Sequence, residues 1–243
     1  MLQAVQLQTI NGIDLSIVKV ESRRVCYVLL PGGLMNDGAD FLEEAAARYQ
    51  VSIVVVSGMN WNDDLTPWAA DPVFKREKPF GGKAAAFLRI LEGDIMPEVE
   101  RTLGFVHSGS MSHEDQSPIK RYLVGISLSG LFALWAAHCS DSFAGIASIS
   151  GSFWFPQFED WVLTHSLSKS VRKVYISLGD REKDTRNRAM SSVEENTLSI
   201  VNHLRTTAAD VEYRIEKGTT HFSPIVPRLD VALDSLLGPG GSR

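Results

Sequence analysis

Cysteine is scarce in this chain: Cys26 and Cys139 are the only two among 243 residues. Two thiols without motif spacing exclude a disulfide-stapled scaffold and a cysteine-rich zinc module, and they read as free thiols of a reducing cytosol. Long apolar runs are missing too, since no window approaches the roughly 18 uninterrupted apolar residues of a membrane span. The first residues, Met1-Leu2-Gln3-Ala4-Val5-Gln6, lack a charged segment followed by an apolar one, so no secretory leader is expected and the expected location is cytoplasmic. Basic charge is not in excess. With 24 Lys and Arg against 29 Asp and Glu the net charge is −5, which argues against nucleic acid or an anionic membrane as a partner. No internal repeat or interdomain linker is visible. What remains is an ordinary globular composition, 44% hydrophobic and 22% charged, able to bury one sizeable core.

The apolar periodicity orders that material. Ala4 to Thr9 and Ile13 to Val20 alternate around Asn11-Gly12, a hairpin signal. Short continuous apolar runs at Val25 to Leu30, Val51 to Val56 and Tyr122 to Val124 predict strands, the first and third of them buried, and further strands are expected at Gly145 to Ile149, Val171 to Leu178 and Val211 to Ile215. Helical patterns fall between them at Ala39 to Arg48, Lys83 to about Arg101, Leu131 to His138 and Val193 to Arg205, with a last one near Arg228 to Leu237. Strands alternating with helices predict an α/β fold with a mostly parallel, doubly wound sheet and an antiparallel hairpin at its N-terminal edge. Residues 1–237 are expected to form one domain and 238–243, rich in glycine, a flexible tail. Gly104 to Ser117 reads as a surface loop.

The stretch Leu123-Val124-Gly125-Ile126-Ser127-Leu128-Ser129-Gly130 carries the chemistry. A buried strand that turns into a helix through Gly-x-Ser strains the serine and lifts its hydroxyl above the sheet, as in the nucleophile elbow of α/β-hydrolases. The helix behind it aims backbone N–H groups at any negative charge formed there. Ser129 occupies the place where the commoner motif has glycine.

A serine needs a base, and the base needs an acid to orient it. His221 follows the strand Val211 to Ile215 by the short turn Lys217-Gly218-Thr219-Thr220, at the sheet edge where such sites are built. His138 and His203 fall in helices and read as core or surface residues. His107 and His113 share a polar loop without carboxylate or cysteine partners at ligand spacing, so no metal is expected. For the acid, the turn after Val174 to Leu178 offers Asp180, Glu182 and Asp184. Glu182 stands three residues after Gly179 and is preferred, with Asp180 and then Asp184 as alternatives. The order Ser127, Glu182, His221 is that expected of this fold. Leu128 N–H is the first expected oxyanion donor, and Gly33, in the turn Pro31-Gly32-Gly33 after the strand Val25 to Leu30, is the second.

These residues resemble the putative-esterase branch of the α/β-hydrolases, which includes esterase-D-like proteins and enterochelin esterases. The resemblance rests on Gly125-Ile126-Ser127-Leu128-Ser129-Gly130-Leu131-Phe132-Ala133 and on Ile149-Ser150-Gly151-Ser152-Phe153-Trp154. It also rests on Leu65-Thr66-Pro67-Trp68 and on Phe80-Gly81-Gly82 leading a helix that closes with Ile95-Met96-Pro97-Glu98-Val99. Ser129 for glycine and Pro31 for the histidine of many hydrolases are its two departures. The resemblance implies a serine esterase that acts on a small-molecule carboxylic ester through an acyl-enzyme, with no cofactor. A thioesterase or peptidase using the same triad, or a silent hydrolase-fold binding module, are the alternative readings. Trp61, Trp68 and Trp154 leave the sheet on the side of Ser127 and are expected to form an aromatic substrate-binding rim, with Asn62 and Asp63 or Asp64 at its polar end. The segment Ser57 to Gly82 is long enough to cover the cleft without a separate lid domain. The oligomeric state is left open, a homodimer included.

Overall fold

The structure is a computed structural model that describes residues 6–32, 39–73, 77–105, 117–207 and 210–238. Its strands are β1 (Gln6–Ile10), β2 (Ile13–Val18), β3 (Arg24–Leu29), β4 (Ser52–Ser57), β5 (Ala69–Ala70), β6 (Phe80–Gly81), β7 (Lys120–Ile126), β8 (Gly145–Ile149), β9 (Lys173–Gly179) and β10 (Asp210–Glu216). Its helices are α1 (Ala39–Tyr49), α2 (Trp61–Asp64), α3 (Ala84–Ile90), α4 (Met96–Leu103), α5 (Leu128–Cys139), α6 (Phe158–Thr164), α7 (Arg188–Ser191), α8 (Val193–Thr207) and α9 (Ile225–Leu237). Among the described residues no helix is long and apolar enough to cross a membrane.

The main sheet runs β1-β2-β4-β3-β7-β8-β9-β10. β1 and β2 form the expected antiparallel hairpin, β2 joins β4 antiparallel, and every pairing from β4 to β10 is parallel. Residue alternation shows why the central strands read as unbroken apolar runs. Val25, Tyr27 and Leu29 pack into one core layer, whereas Cys26, Val28 and Leu30 face the other. Helices cover both faces, so the central strands bury both sets of side chains, whereas the edge strands β1 and β10 remain partly exposed. On one face α1 and α9 contribute Leu42, Ala46, Leu229 and Leu233. On the other α3, α4, α5 and α8 contribute Phe87, Val99, Phe132 and Ile200. α5 is apolar all round, buried from Leu128 to Ala137, as a helix pressed against a sheet and covered by others must be.

Several boundaries differ from the sequence expectation. The helix expected from Lys83 to Arg101 is broken by a π-helical turn, Leu91–Ile95, between α3 and α4. α9 begins at Ile225, three residues before the expected start, with Pro227 in its first turn where a missing N–H costs nothing. α2, α6, α7 and the β5–β6 ribbon lie in stretches without clear periodicity. Most of the loop expected at Gly104 to Ser117 and the tail expected after Gly238 lie outside the described residues, as do Gly33, His107 and His113.

The chain runs outward from β3 to β4 and then returns to place β7 on the other side of β3. It is outside such a reversal, at the strands' C-terminal ends, that doubly wound sheets hold their ligands. Leu29 pairs with Gly125 there, so the turn after β7 sits at the reversal.

Candidate active site

Ser127 joins β7 to α5 with φ 59° and ψ −123°, a conformation that costs a non-glycine residue free energy and persists only when its surroundings impose it. Those surroundings are identifiable. Ser127 N–H donates to Ile149 O at 3.0 Å, and Ser127 O accepts from Ser152 N–H at 3.1 Å and Leu131 N–H at 3.0 Å. Gly125 lets the helix fold back onto its own strand, because a Cβ there would collide with the Ser129 carbonyl. Ser129 is fully buried, and its hydroxyl accepts from Ile126 N–H at 2.8 Å and reaches Leu29 O at 2.8 Å. The serine at the usual glycine position therefore bolts the elbow to β3.

His221 lies in a turn closed by Ser223 N–H to Thr220 O at 3.1 Å and by Thr220 N–H to the Ser223 hydroxyl at 2.9 Å. Its Nε2 stands 3.0 Å from Ser127 Oγ and its Nδ1 2.9 Å from Glu182 Oε2. The structure thus brings the three expected residues together across 94 and 39 positions of sequence. Among the acid alternatives Glu182 faces the imidazole. The Asp180 backbone N–H bonds to Glu216 O, and Asp184 lies at the surface 3.9 Å from Arg181.

Gly179 allows the acid to double back. Its N–H donates to Glu182 Oε1 at 2.8 Å, and a Cβ there would strike the Thr219 carbonyl. Burial works to raise the Glu182 pKa, but hydrogen bonds from His221, the Ser150 hydroxyl and Gly179 N–H outweigh it and hold it below the ordinary carboxylate range. The carboxylate is accordingly ionised at neutral pH and fit to accept from Nδ1–H. Burial pushes the Cys26 thiol the other way, up to about 12, which leaves it no thiolate nucleophile.

Leu128 is the first residue of α5, so its N–H has no acceptor within the helix and is free to meet an oxyanion beside Ser127. The Ser152 hydroxyl lies 3.4 Å from Ser127 Oγ.

Trp68 packs on Phe155, Phe158 and Trp161 with ring centroids 5.9, 6.5 and 6.3 Å away, and its Nε1 donates to Pro156 O at 3.0 Å. Trp154 meets Phe80 at 6.1 Å, and Trp61 packs against the core. The three indoles thus belong to the segments that follow β4 and β8. The sequence places a polar end at Asn62 and Asp63 or Asp64. Asn62 bonds Lys78 O, Asp63 pairs with Lys83 at 2.7 Å, and Asp64 accepts from Asn60 N–H, so these groups fold the loop. Phe222, next to the histidine, is 91% exposed and stands edge-on to His221 at 5.5 Å.

Sequence reasoning missed Ser150, Arg228 and Glu216, which lie behind Glu182. One signal was present. Arg228 interrupts the apolar stripe Ile225, Leu229, Ala232, Leu233 and Leu236 of α9, and a charge on a buried helix face requires a buried partner.

A mostly parallel sheet with a strained serine at its reversal point, followed in chain order by an acid and a histidine, defines the α/β-hydrolase class. Residues 36–233 match the family model described as Putative esterase. The chain belongs to that family and is by class a serine esterase. It is 28% identical over 202 residues to the uncharacterised protein YbbA of Bacillus subtilis (strain 168), a match covering 80% of this chain and 77% of YbbA. Its fold is similar to that of an IroE-like serine hydrolase from Shewanella oneidensis, with TM-score 0.72 and 19% identity over 96% of this chain and 79% of that one. It is also similar to the siderophore hydrolase EstB from Aspergillus nidulans, with TM-score 0.75 and 17% identity over 100% and 99%.

Proposed function

We propose that the chain hydrolyses small carboxylic esters through a Ser127–His221–Glu182 triad and an acyl-enzyme. The observation that carries this reading is the unbroken hydrogen-bonded row from Ser127 Oγ through His221 to Glu182, at 3.0 and 2.9 Å, with the serine held at positive φ on a helix N-terminus. In the first half-reaction Ser127 Oγ attacks the ester carbonyl while His221 Nε2 takes its proton. The tetrahedral oxyanion is held by Leu128 N–H; Gly33, the second donor expected from the sequence, lies outside the described residues. The intermediate collapses as His221 returns the proton to the leaving alkoxide, which departs as the alcohol. Water then attacks the acyl-enzyme, again through His221, and releases the acid and free serine. Glu182 keeps Nδ1 protonated and stabilises the imidazolium formed on the way.

The exposed ring of Phe222 beside His221 and the indoles of Trp61, Trp68 and Trp154 support a substrate with apolar bulk near the ester. The two free thiols support a reducing, cytosolic setting. A fluorophosphonate probe should label Ser127, and Ser127→Ala should abolish labelling and lower kcat on p-nitrophenyl esters by about three to six orders of magnitude. Wild-type protein that is neither labelled nor active on any of matched ester, thioester and amide substrates would overturn the reading.

A further inference from the structure

Behind the triad lies a row of buried side chains that ester hydrolysis as described does not use. One oxygen of Glu182 faces His221. The other accepts from Gly179 N–H and the Ser150 hydroxyl and lies 3.4 Å from Arg228 Nη2. That same Nη2 donates to Ser150 Oγ, and Arg228 Nε donates to Glu216. Arg228 is 5% exposed, reached from α9, while Glu216 ends β10 and Ser150 follows β8. A guanidinium is taken out of water only against strong partners, and this one lies between two carboxylates, one of which touches the catalytic histidine.

We propose that Arg228 is a positioning residue for the triad: through Ser150 and directly it holds the Glu182 carboxylate, and its charge, itself offset by Glu216, tempers the field that Glu182 exerts on His221. The proposal rests on the hydrolase reading of Ser127 and His221. Its physical content is a sign pattern. Seen from an imidazolium at His221, Glu182 is favourable, Arg228 unfavourable and Glu216 favourable, in order along the row. Without Arg228, Glu182 would act on the imidazole undiminished, and the base would stay protonated to higher pH. Other groups near this row are Tyr213 on β10 within the field of Glu182 and Tyr175 on β9 within that of Glu216, and Asp180, in the turn after β9, is tied to Glu216 by its backbone N–H. Arg181 and Lys183 in the same turn are directed at Asp184 and Glu194 near the surface, and Lys217 is exposed. All of these stay constant in the test.

The experiment compares Arg228→Met, Arg228→Lys and Glu216→Gln with wild type. It reads the rate of fluorophosphonate labelling at Ser127 from about pH 5 to 9, a span that brackets histidine titration, and the NMR titration of the His221 ring. Arg228→Met should move the midpoint of activation up, and Glu216→Gln, which leaves Arg228 uncompensated, should move it down, each by on the order of half to one pH unit. Arg228→Lys should keep the wild-type midpoint and slow the labelling plateau, since a point charge cannot fork between Ser150 and Glu216. A purely structural arginine would change the melting temperature and leave every midpoint in place. That outcome, or shifts of the same sign in Arg228→Met and Glu216→Gln, overturns the proposal. If Arg228→Met does not fold, Glu216→Gln decides, and an unmoved midpoint there is refutation. If wild-type Ser127 is not labelled, the hydrolase reading fails instead, and the ring titration alone still reports whether Arg228 and Glu216 act on His221.

Discussion

Replacing Ser129 separates what the motif suggests from what the structure requires. By motif, glycine belongs at this position, so Ser129→Gly ought to be harmless or helpful. In the structure the Ser129 hydroxyl is fully buried, satisfies Ile126 N–H at 2.8 Å and reaches Leu29 O at 2.8 Å. Ser129→Ala leaves that N–H desolvated and without its partner, at a cost of about 1–3 kcal/mol. For a chain of this size each kcal/mol corresponds to about 2–4 °C in Tm, so a loss near the middle of that range is a drop of about 4–8 °C. Ser129→Gly should be no better, because glycine also lacks the hydroxyl and adds about 0.5–1 kcal/mol of backbone entropy within the helix. Thermal melts followed by circular dichroism, with fluorophosphonate labelling as a readout of the elbow, make the comparison. Labelling should slow in both variants, since the bond lost is the one tying the elbow to β3. If either variant melts within a degree of wild type and labels at the wild-type rate, the hydroxyl is not what holds the turn.

Other outcomes follow from the same geometry. Gly125→Ala places a methyl group against the Ser129 carbonyl and should destabilise by about 3 kcal/mol, read from urea unfolding. Glu182→Gln should lower kcat by about 10²–10⁴, because the imidazole loses the acceptor that fixes its tautomer, whereas Asp180→Asn should leave most activity; the reverse ranking would transfer the role to Asp180. The folded-state pKa of Glu182 is lowered, so its ionised form adds stability that is present above the unfolded value and lost as pH falls through the folded one. The stability gap between wild type and Glu182→Gln should therefore narrow as pH falls below about 4. Trp154→Ala and Trp68→Ala should raise KM for bulky esters more than for acetyl esters, and Trp68→Ala should also cost about 2 kcal/mol through its lost contacts with Phe155, Phe158 and Trp161. If both keep the wild-type substrate preference and lose only stability, the indoles are scaffolding.

The sequence alone determined the architecture and the order of the candidate catalytic residues, because both are written in local signals. Strands buried on both faces must be continuous apolar runs, and a strand that turns into a helix within a few residues must use small ones, so β3, β4, β7 and the elbow at Ser127 could be read directly. Chain order then placed an acid after β9 and a histidine after β10. Only the tertiary structure decided among neighbours with the same chemistry. Asp180, Glu182 and Asp184 are equivalent as a string of carboxylates; which one meets His221 depends on the turn at Gly179 and on packing against the Thr219 carbonyl. It likewise engaged Asn62, Asp63 and Asp64 in hydrogen bonds and an ion pair that fold their own segment, where the sequence suggested a polar end for a pocket. The row Glu216, Arg228, Ser150 and Glu182 joins the ends of β10, β8 and β9 to a helix at the C-terminal end of the chain. No local pattern encodes such a row, since its free energy arises only when residues distant in sequence share a site from which water has been removed.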